Sequence, residues 1–258
     1  MARSTLTKRI EFSASHRYFN EEWDEERNRR VFGPCFQEHG HNYLLEVTLG
    51  GRVDPVTGMI INLYDLKQIV TDVLEEFDHK HLNFDMPYFE RLVPTTENLT
   101  LVLWRKFRER PETRDIASIR LGEGENLWAE LHQPNDPDNV EPTEALLTRR
   151  YALTVRRNAD ASHVETWPLS LDVTLRGPID PVTGRVTDFR ALDERVRAQV
   201  LDTLTGTNVS QHPELADQPV TLPTLAKVLW SRLLNVADAQ LERLRLTDHQ
   251  GLTLDYSA

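Results

Sequence analysis

The sequence predicts an α+β protein built from two tandem copies of one unit, each an antiparallel β-sheet with two helices on one face in the order ββααββ. Three observations carry this. The chain repeats itself in a single register: Asp54-Pro55-Val56-Thr57-Gly58 returns 126 residues later as Asp180-Pro181-Val182-Thr183-Gly184. At the same offset Leu45-Glu46-Val47-Thr48-Leu49 returns as Leu171-Asp172-Val173-Thr174-Leu175, and Val102-Leu103-Trp104 as Val228-Leu229-Trp230. The period is far too long for a solenoid, so each copy must bury its own core. Within a copy the hydrophobic period changes from two to 3.6 and back, which sets strands before and after a pair of helices.

Each element has a local reason. Ile10-Glu11-Phe12-Ser13-Ala14-Ser15 alternates and reads as the first strand, followed by a long polar insertion. A second strand is expected near 42–49, and the Asp-Pro-Val-Thr-Gly segment makes a turn. Leu66, Ile69, Val70, Val73, Leu74 and Phe77 form one helical stripe. The loop Asp78-His79-Lys80-His81-Leu82-Asn83 follows, and a second helix starts at Pro94-Thr95-Thr96-Glu97, where a Thr caps and the Glu suits the first turn. Strands near 118–121 and 127–132 close the unit. Residues 134–145, rich in Pro, Asp and Asn, read as a linker between domains at 1–133 and 146–258.

The net charge of −11 argues against a nucleic-acid or membrane-surface protein. No apolar run approaches membrane-spanning length and the opening residues do not read as a signal peptide, so a cytoplasmic location is expected. A single cysteine excludes an intrachain disulfide.

The chemistry concentrates in the first 41 residues. His39 and His41 are two apart, so on a strand both imidazoles face one way, and His16 ends the neighbouring strand. If the strands pair, three neutral nitrogen ligands converge with a fourth position open, the pattern of a catalytic zinc site. Cys35, four residues before His39, could be a nucleophile, a base or a fourth ligand; as a ligand it would make the site closed and structural. His132, His163, His212 and His249 read as polar surface. The second copy lacks the set: shifted by 126, Cys35 falls on Ala161, His39 on Glu165, His41 on Trp167 and Asp78-His79 on Leu204-Thr205, while Arg156 and Arg157 end its first strand. It reads as a scaffold that kept the fold and lost the site.

Five stretches resemble the 6-pyruvoyltetrahydropterin synthase family and its 6-carboxytetrahydropterin synthase relatives. They are Cys35-x3-His39-Gly40-His41-Asn42-Tyr43, Asp54 through Asn62-Leu63 to Asp65-Leu66-Lys67, Asp78-His79-Lys80-x-Leu82-Asn83, Met86-Pro87-Tyr88-Phe89 and Thr95-Thr96-Glu97-Asn98. The resemblance covers all of the first copy and, more weakly, the second. It implies the tunnelling fold (T-fold), in which sheets close into a barrel and rings stack into a hexamer, leaving no exposed sheet edge. It implies a zinc-dependent lyase that removes triphosphate from 7,8-dihydroneopterin triphosphate, with His16, His39 and His41 as zinc ligands. It further implies Cys35 as proton-abstracting thiolate, activated by the pair Asp78 and His79, and Glu123, Thr95 and Thr96 as contacts to the pterin. Lys80 and Arg17, with Arg27, Arg29 and Arg30 behind them, are candidates for the triphosphate.

The Cys-x3-His-Gly-His spacing resembles the 6-carboxy enzymes, whereas Asn62-Leu63, Tyr88-Phe89 and Thr95-Thr96-Glu97-Asn98 resemble the 6-pyruvoyl enzymes, so both products stay open, as does the pathway, biopterin-like cofactor or deazapurine (queuosine). In a third variant a Glu takes over from the thiol and the side chain is cleaved; Glu38 keeps this aldolase-like reading open, and a non-catalytic pterin-binding protein is the alternative from another class. Gly124 stands where the family often has Thr. The family's sites lie between subunits of a three-membered ring, so the expected assembly is a homo-oligomer of three chains, one ring of first copies on one ring of second copies.

Overall fold

In a computed structural model of the chain, residues 4–134, 141–160, 162–215 and 218–258 are described. Half of the expected linker, 135–140, and Ala161, opposite Cys35 in the second copy, lie outside the described residues. The chain forms two compact units, one of Met1–Leu146 with Pro178–Val186, the other of Leu147–Gly177 with Thr187–Ala258.

In the first unit β1 (Ser4–His16) is followed by α1 (Glu25–Phe32), β2 (His39–Gly51), α2 (Leu63–Leu74), β3 (Lys80–His81), a single turn α3 (Leu82–Asp85), α4 (Thr96–Arg108), β4 (Ile116–Glu123) and β5 (Leu127–His132). The strand order is β3-β1-β2-β4-β5. β1, β2, β4 and β5 are antiparallel, as the alternation predicts. Two elements depart from the expectation. The polar insertion contains α1, capped by Asp24, whose side chain accepts from Arg27 N. The 78–83 loop contributes β3, which lies parallel to β1 at its outer edge. Both are too short or too polar to leave a periodic signal.

α2 and α4 cover one face of this sheet. The α2 stripe buries Leu66, Val70, Val73 and Leu74, and α4 buries Leu99, Leu103, Trp104 and Phe107 against Leu45, Val47, Ile119 and Leu121. Thr95 caps α4 as predicted, its hydroxyl accepting from Asn98 N. The β4–β5 turn needs a left-handed residue, and Gly124 supplies it at φ 73°. A side chain there would be strained, which accounts for glycine at a position the family often gives to Thr.

The second unit repeats the plan, with an isolated parallel bridge between Arg156 and Asn208 in place of β3 among the described residues. β6 (Glu144–Asn158), β7 (Val164–Pro178), α5 (Phe189–Val196), a π turn at Arg197–Leu201, the short α6 (Asp202–Leu204), α7 (Leu222–Leu233), β8 (Gln240–Asp248) and β9 (Thr253–Tyr256) follow in order, with strands ordered β6-β7-β8-β9. The repetition reaches fine detail. The β2–β4 ladder shifts register between Thr48 and Leu49, and the β7–β8 ladder between Thr174 and Leu175, the same step 126 residues on. Asp54 and Asp180 close identical turns, each Oδ1 accepting from the two following amides and the Thr hydroxyl. Among the described residues no helix is long and apolar enough to cross a membrane.

Trp104 is fully buried while Val56 is 91% exposed. Trp104→Ala should therefore lower unfolding free energy by about 3–5 kcal/mol in urea titrations, against less than about 0.5 for Val56→Ala.

Candidate metal centre

Pairing of adjacent strands builds the site. His16 ends β1 directly opposite His39 of β2, and His41 lies opposite Ala14. Glu123 ends β4 opposite Tyr43, so it follows His41 along the same face of β2. Four side chains from three neighbouring strands thus meet at one end of the sheet. Their ligand atoms all lie within 4.8 Å of one another, and among the described residues no second group of this kind occurs. Glu123 Oε1 is 2.7 Å from His41 Nε2, 3.3 Å from His16 Nε2 and 3.9 Å from His39 Nε2.

The surroundings aim the ring nitrogens. His16 Nδ1 lies 2.7 Å from the Pro94 carbonyl, and His39 Nδ1 2.7 Å from the Gln37 carbonyl. A carbonyl only accepts, so each Nδ1 carries the hydrogen and a neutral ring turns its Nε2 lone pair inward. Burial, with the nearby His16 and His41, pushes the His39 pKa down and favours that neutral form. His41 Nε2 is buried and, despite its closeness to Glu123, has no partner in hydrogen-bond geometry. A buried ring nitrogen left so costs about 1–3 kcal/mol unless a cation takes the lone pair. Burial opposes ionisation of Glu123, and the contacts with His16 and His41 lower its carboxyl pKa only when positive charge sits on those Nε2 atoms, the place a bound cation would take. Three inward lone pairs and an ionised carboxylate fit a divalent cation of the kind imidazole binds.

The other side of Glu123 is equally specific. Its Oε2 accepts from the Thr96 hydroxyl and, at 3.3 Å, from Tyr18 OH. Tyr18 is buried, and burial together with the charges of Glu123, Glu97 and Cys35 raises its pKa well above the ordinary value. Cys35, on the 3₁₀ turn Gly33–Phe36, is half-buried on this side, its carbonyl accepting from Tyr18 N.

The Glu123 carboxylate, an expected pterin contact, faces the three imidazoles because its β4 position puts it in register with His41. Thr95 and Thr96 were expected as substrate contacts. Both are fully buried: the Thr95 hydroxyl accepts from Asn98 N and donates to the Gly184 carbonyl, and the Thr96 hydroxyl donates to Glu123. The Thr96 hydroxyl braces the carboxylate and the Thr95 hydroxyl the start of α4.

Asp78 and His79 form the expected pair, Nδ1 to Oδ2 at 2.9 Å. The backbone of Ser13 holds both: Ser13 N donates to Asp78 Oδ1, and His79 N donates to the Ser13 carbonyl. The Ser13 amide, ahead of the His79 contacts, keeps the Asp78 carboxyl below its usual range. His79 adopts φ 58°, a left-handed conformation costing about 1–3 kcal/mol, and its ring is 82% exposed. It opens onto a cleft of about 630 Å³ lined also by Ser13, His41, Lys80, His81 and Asp85. Cys35 is not among the lining residues, so the cleft gathers His79, held by Asp78, and Lys80 but not the thiol. The Arg17 guanidinium lies 4.2 Å from the centroid of Phe19, Arg27 stacks on Trp23 at 4.1 Å, and Arg29 pairs with Glu25 at 2.8 Å.

Glu97 escaped the sequence reading, which gave it only a favourable place in the first turn of α4. It is 2% exposed and takes a 2.9 Å hydrogen bond from Val186 N. Burial pushes its pKa up to about 7, against the opposing pull of that amide, its own amide and Arg185. Nothing in the local pattern marked it, because its neighbours Thr96, Asn98 and Thr100 are polar and are buried as well.

In the second unit the corresponding positions form a closed cluster. Arg157 Nε lies 2.6 Å from Glu165 Oε1, and its guanidinium sits 3.8 Å from the centroid of Trp167. A fixed cation and its counter-charge stand where the first unit has imidazoles.

A raised carboxyl pKa makes folding favour the protonated group. Its contribution is full below the unfolded value near 4.5 and is lost as pH rises through about 7. Glu97→Gln should therefore gain stability relative to wild type between pH 5 and pH 8, by an amount on the order of 3 kcal/mol. Urea midpoints at the two pH values that move in parallel would exclude this.

The family model described as 6-pyruvoyl tetrahydropterin synthase matches residues 5–134 and again 151–258. The chain is 38% identical over 124 residues to 6-pyruvoyl tetrahydrobiopterin synthase of Homo sapiens, covering 47% of this chain and 86% of that protein. It is 30% identical over 130 residues to dihydroneopterin monophosphate aldolase of Pyrococcus furiosus, covering 50% and 97%. The solved structure of 6-pyruvoyl tetrahydropterin synthase from Caenorhabditis elegans superposes with a TM-score of 0.50 at 30% identity, over 52% of this chain and 98% of that one. Two successive matches to one family model, on a sheet whose first copy carries the His-His-His-Glu group, show that the chain is a tandem-duplicated member of the 6-pyruvoyl tetrahydropterin synthase family.

Proposed function

We propose that the chain is a zinc-dependent lyase that eliminates triphosphate from 7,8-dihydroneopterin triphosphate, giving a 6-pyruvoyl- or 6-carboxy-tetrahydropterin. The observation that carries this is the convergence of His16, His39 and His41 with Glu123 in a chain of this family. The three imidazoles would hold zinc, with Glu123 as a fourth oxygen ligand or as the acceptor for a ligand that displaces it. Zinc, when bound, would polarise the side-chain hydroxyls and acidify the neighbouring C–H bonds.

The remaining residues handle protons. Cys35 would remove one as the thiolate; its charge acts on Tyr18, whose hydroxyl donates to Glu123. An ordinary thiol is mostly protonated at neutral pH and needs an activating imidazole, a role that the Asp78–His79 pair would fill. Because the pair opens on a cleft that Cys35 does not line, we propose that the pair and the thiol meet between copies, in a homo-oligomer for which three chains is the simplest form. Lys80, beside His79 on this cleft, is the better placed of the basic candidates for the triphosphate; the Arg17 guanidinium already packs on Phe19.

The aldolase relative favours a second reading, cleavage of the pterin side chain. Incubating the zinc-loaded protein with dihydroneopterin triphosphate and weighing the products separates the readings. Free triphosphate supports elimination, whether the pterin keeps its whole side chain as the 6-pyruvoyl product or is shortened to the 6-carboxy product with release of acetaldehyde; a shortened pterin with the phosphate still on the released aldehyde fragment supports the aldolase, and no product leaves a binding protein.

Metal analysis should find about one zinc per chain, and His39→Ala should lose most of it, since two imidazoles make a poor site. Cys35→Ala should keep the zinc and abolish triphosphate release. Loss of zinc in that variant would put Cys35 in the coordination shell and end its role as base.

A further inference from the structure

A turn of the second repeat lies within the first compact unit. Pro178–Val186 clusters with Met1–Leu146, and Ile179 and Val186 pack on that unit's core. Its contacts fall on both sides of the candidate metal centre. On the α4 side, the Gly184 carbonyl accepts from Thr95 Oγ1, and Val186 N donates to Glu97 Oε1. On the insertion side, Asn20 Nδ2 donates to the Val182 carbonyl at 2.9 Å, and the Arg185 guanidinium lies 5.2 Å from the Phe32 ring centroid. Arg185 is 6% exposed, and its charge acts on both Glu97 and Asp180.

The first repeat's own turn is a built-in comparison. It has the same Asp-centred bonds, and Gly58 has φ 69° against 73° for Gly184. A Cβ on Gly58 would meet nothing within 4 Å. One on Gly184 would stand 2.5 Å from Asn98 Nδ2, 3.1 Å from Thr95 Oγ1 and 3.2 Å from Thr95 Cγ2. Val56 is 91% exposed and Val182 45%. Where the second repeat has the buried Arg185, the first has the exposed Met59. One turn is free and the other is fitted.

We propose that the second repeat supplies a wall of the first repeat's site, with Arg185 and the Val186 amide acting as positioning residues for Glu97 and, through Gly184, for the Thr95–Thr96 step that supports Glu123. The consequence for substrate affinity rests on the pterin reading above; the positioning itself does not. The wall fixes the start of α4 by contacts that the closed cluster at Arg157, Glu165 and Trp167 does not require. The second repeat can therefore lack a metal site and still be indispensable.

The test uses the full chain, with Gly184→Ala, Gly58→Ala, Arg185→Met and Arg185→Lys compared to wild type. Deuterium exchange of the peptide covering 93–98 reads positioning without any ligand, metal content reads the imidazole group, and fluorescence titration with neopterin reads affinity. Gly58→Ala and Gly184→Ala share the cost of a left-handed alanine, so their difference isolates the fit. Gly184→Ala and Arg185→Met should speed exchange in 93–98 and weaken neopterin binding about tenfold, the scale of one lost hydrogen bond to a charged group, with zinc content unchanged. Gly58→Ala should stay within about twofold of wild type, and Arg185→Lys should recover most of the affinity because it restores the charge. Equal exchange in the two glycine variants, or wild-type exchange in Arg185→Met, overturns the proposal. If Gly184→Ala does not fold, the Met and Lys variants decide between the same two results. If the wild-type protein binds no neopterin, the pterin reading fails, and exchange alone still decides the positioning.

Discussion

The site depends on one constraint: three imidazole nitrogens and a carboxylate oxygen must occupy the end of one sheet within 4.8 Å of each other. In water such a cluster would separate, because neutral imidazoles gain nothing from crowding and a buried carboxylate loses hydration. The ladder holds it together. The β1–β2 register sets His16 against His39, and the β2–β4 register brings Glu123 beside Tyr43. A one-residue slip in either ladder would turn a ligand to the opposite face. The carbonyls of Pro94 and Gln37 then fix which nitrogen faces inward. Fold and metal preference are therefore linked through backbone hydrogen bonds.

The two repeats show how separable fold and chemistry are. Turn, bulge and helix stripe persist at the same offset, since each serves packing or chain reversal. The ligand positions do not. In the second unit Arg157 is bonded to Glu165 and stacked on Trp167, which neutralises the strand ends internally and needs no added cation. Asp172, 3% exposed, is likewise paired through both oxygens with Arg150. Such pairs leave nothing for a metal to satisfy.

Conformational strain falls where chemistry is proposed. His79 is the non-glycine residue with positive φ among those described, and two hydrogen bonds to Ser13 clamp it and Asp78 to β1. The short parallel strand β3 begins directly after it. A loop alone would relax to an ordinary φ; attachment to the sheet edge prevents that and holds the ring out toward the cleft.

The sequence by itself determined the α+β class, the duplication, the helical stripes, the cap at Thr95 and the three-histidine set, because each is written in local spacing or in repetition at one offset. It also located the Asp78–His79 pair. It could not determine what long-range pairing decides: that Glu123 faces the imidazoles, that the Thr95 and Thr96 hydroxyls are committed to Gly184 and Glu123, and that Glu97 is buried under Val186. These contacts join residues 27 to 89 positions apart. Local periodicity carries no information at that range, because it reports which face a residue occupies and not what another segment brings to meet it. Only the tertiary structure decided those partners, through strand register and the packing of the 178–186 segment on the start of α4.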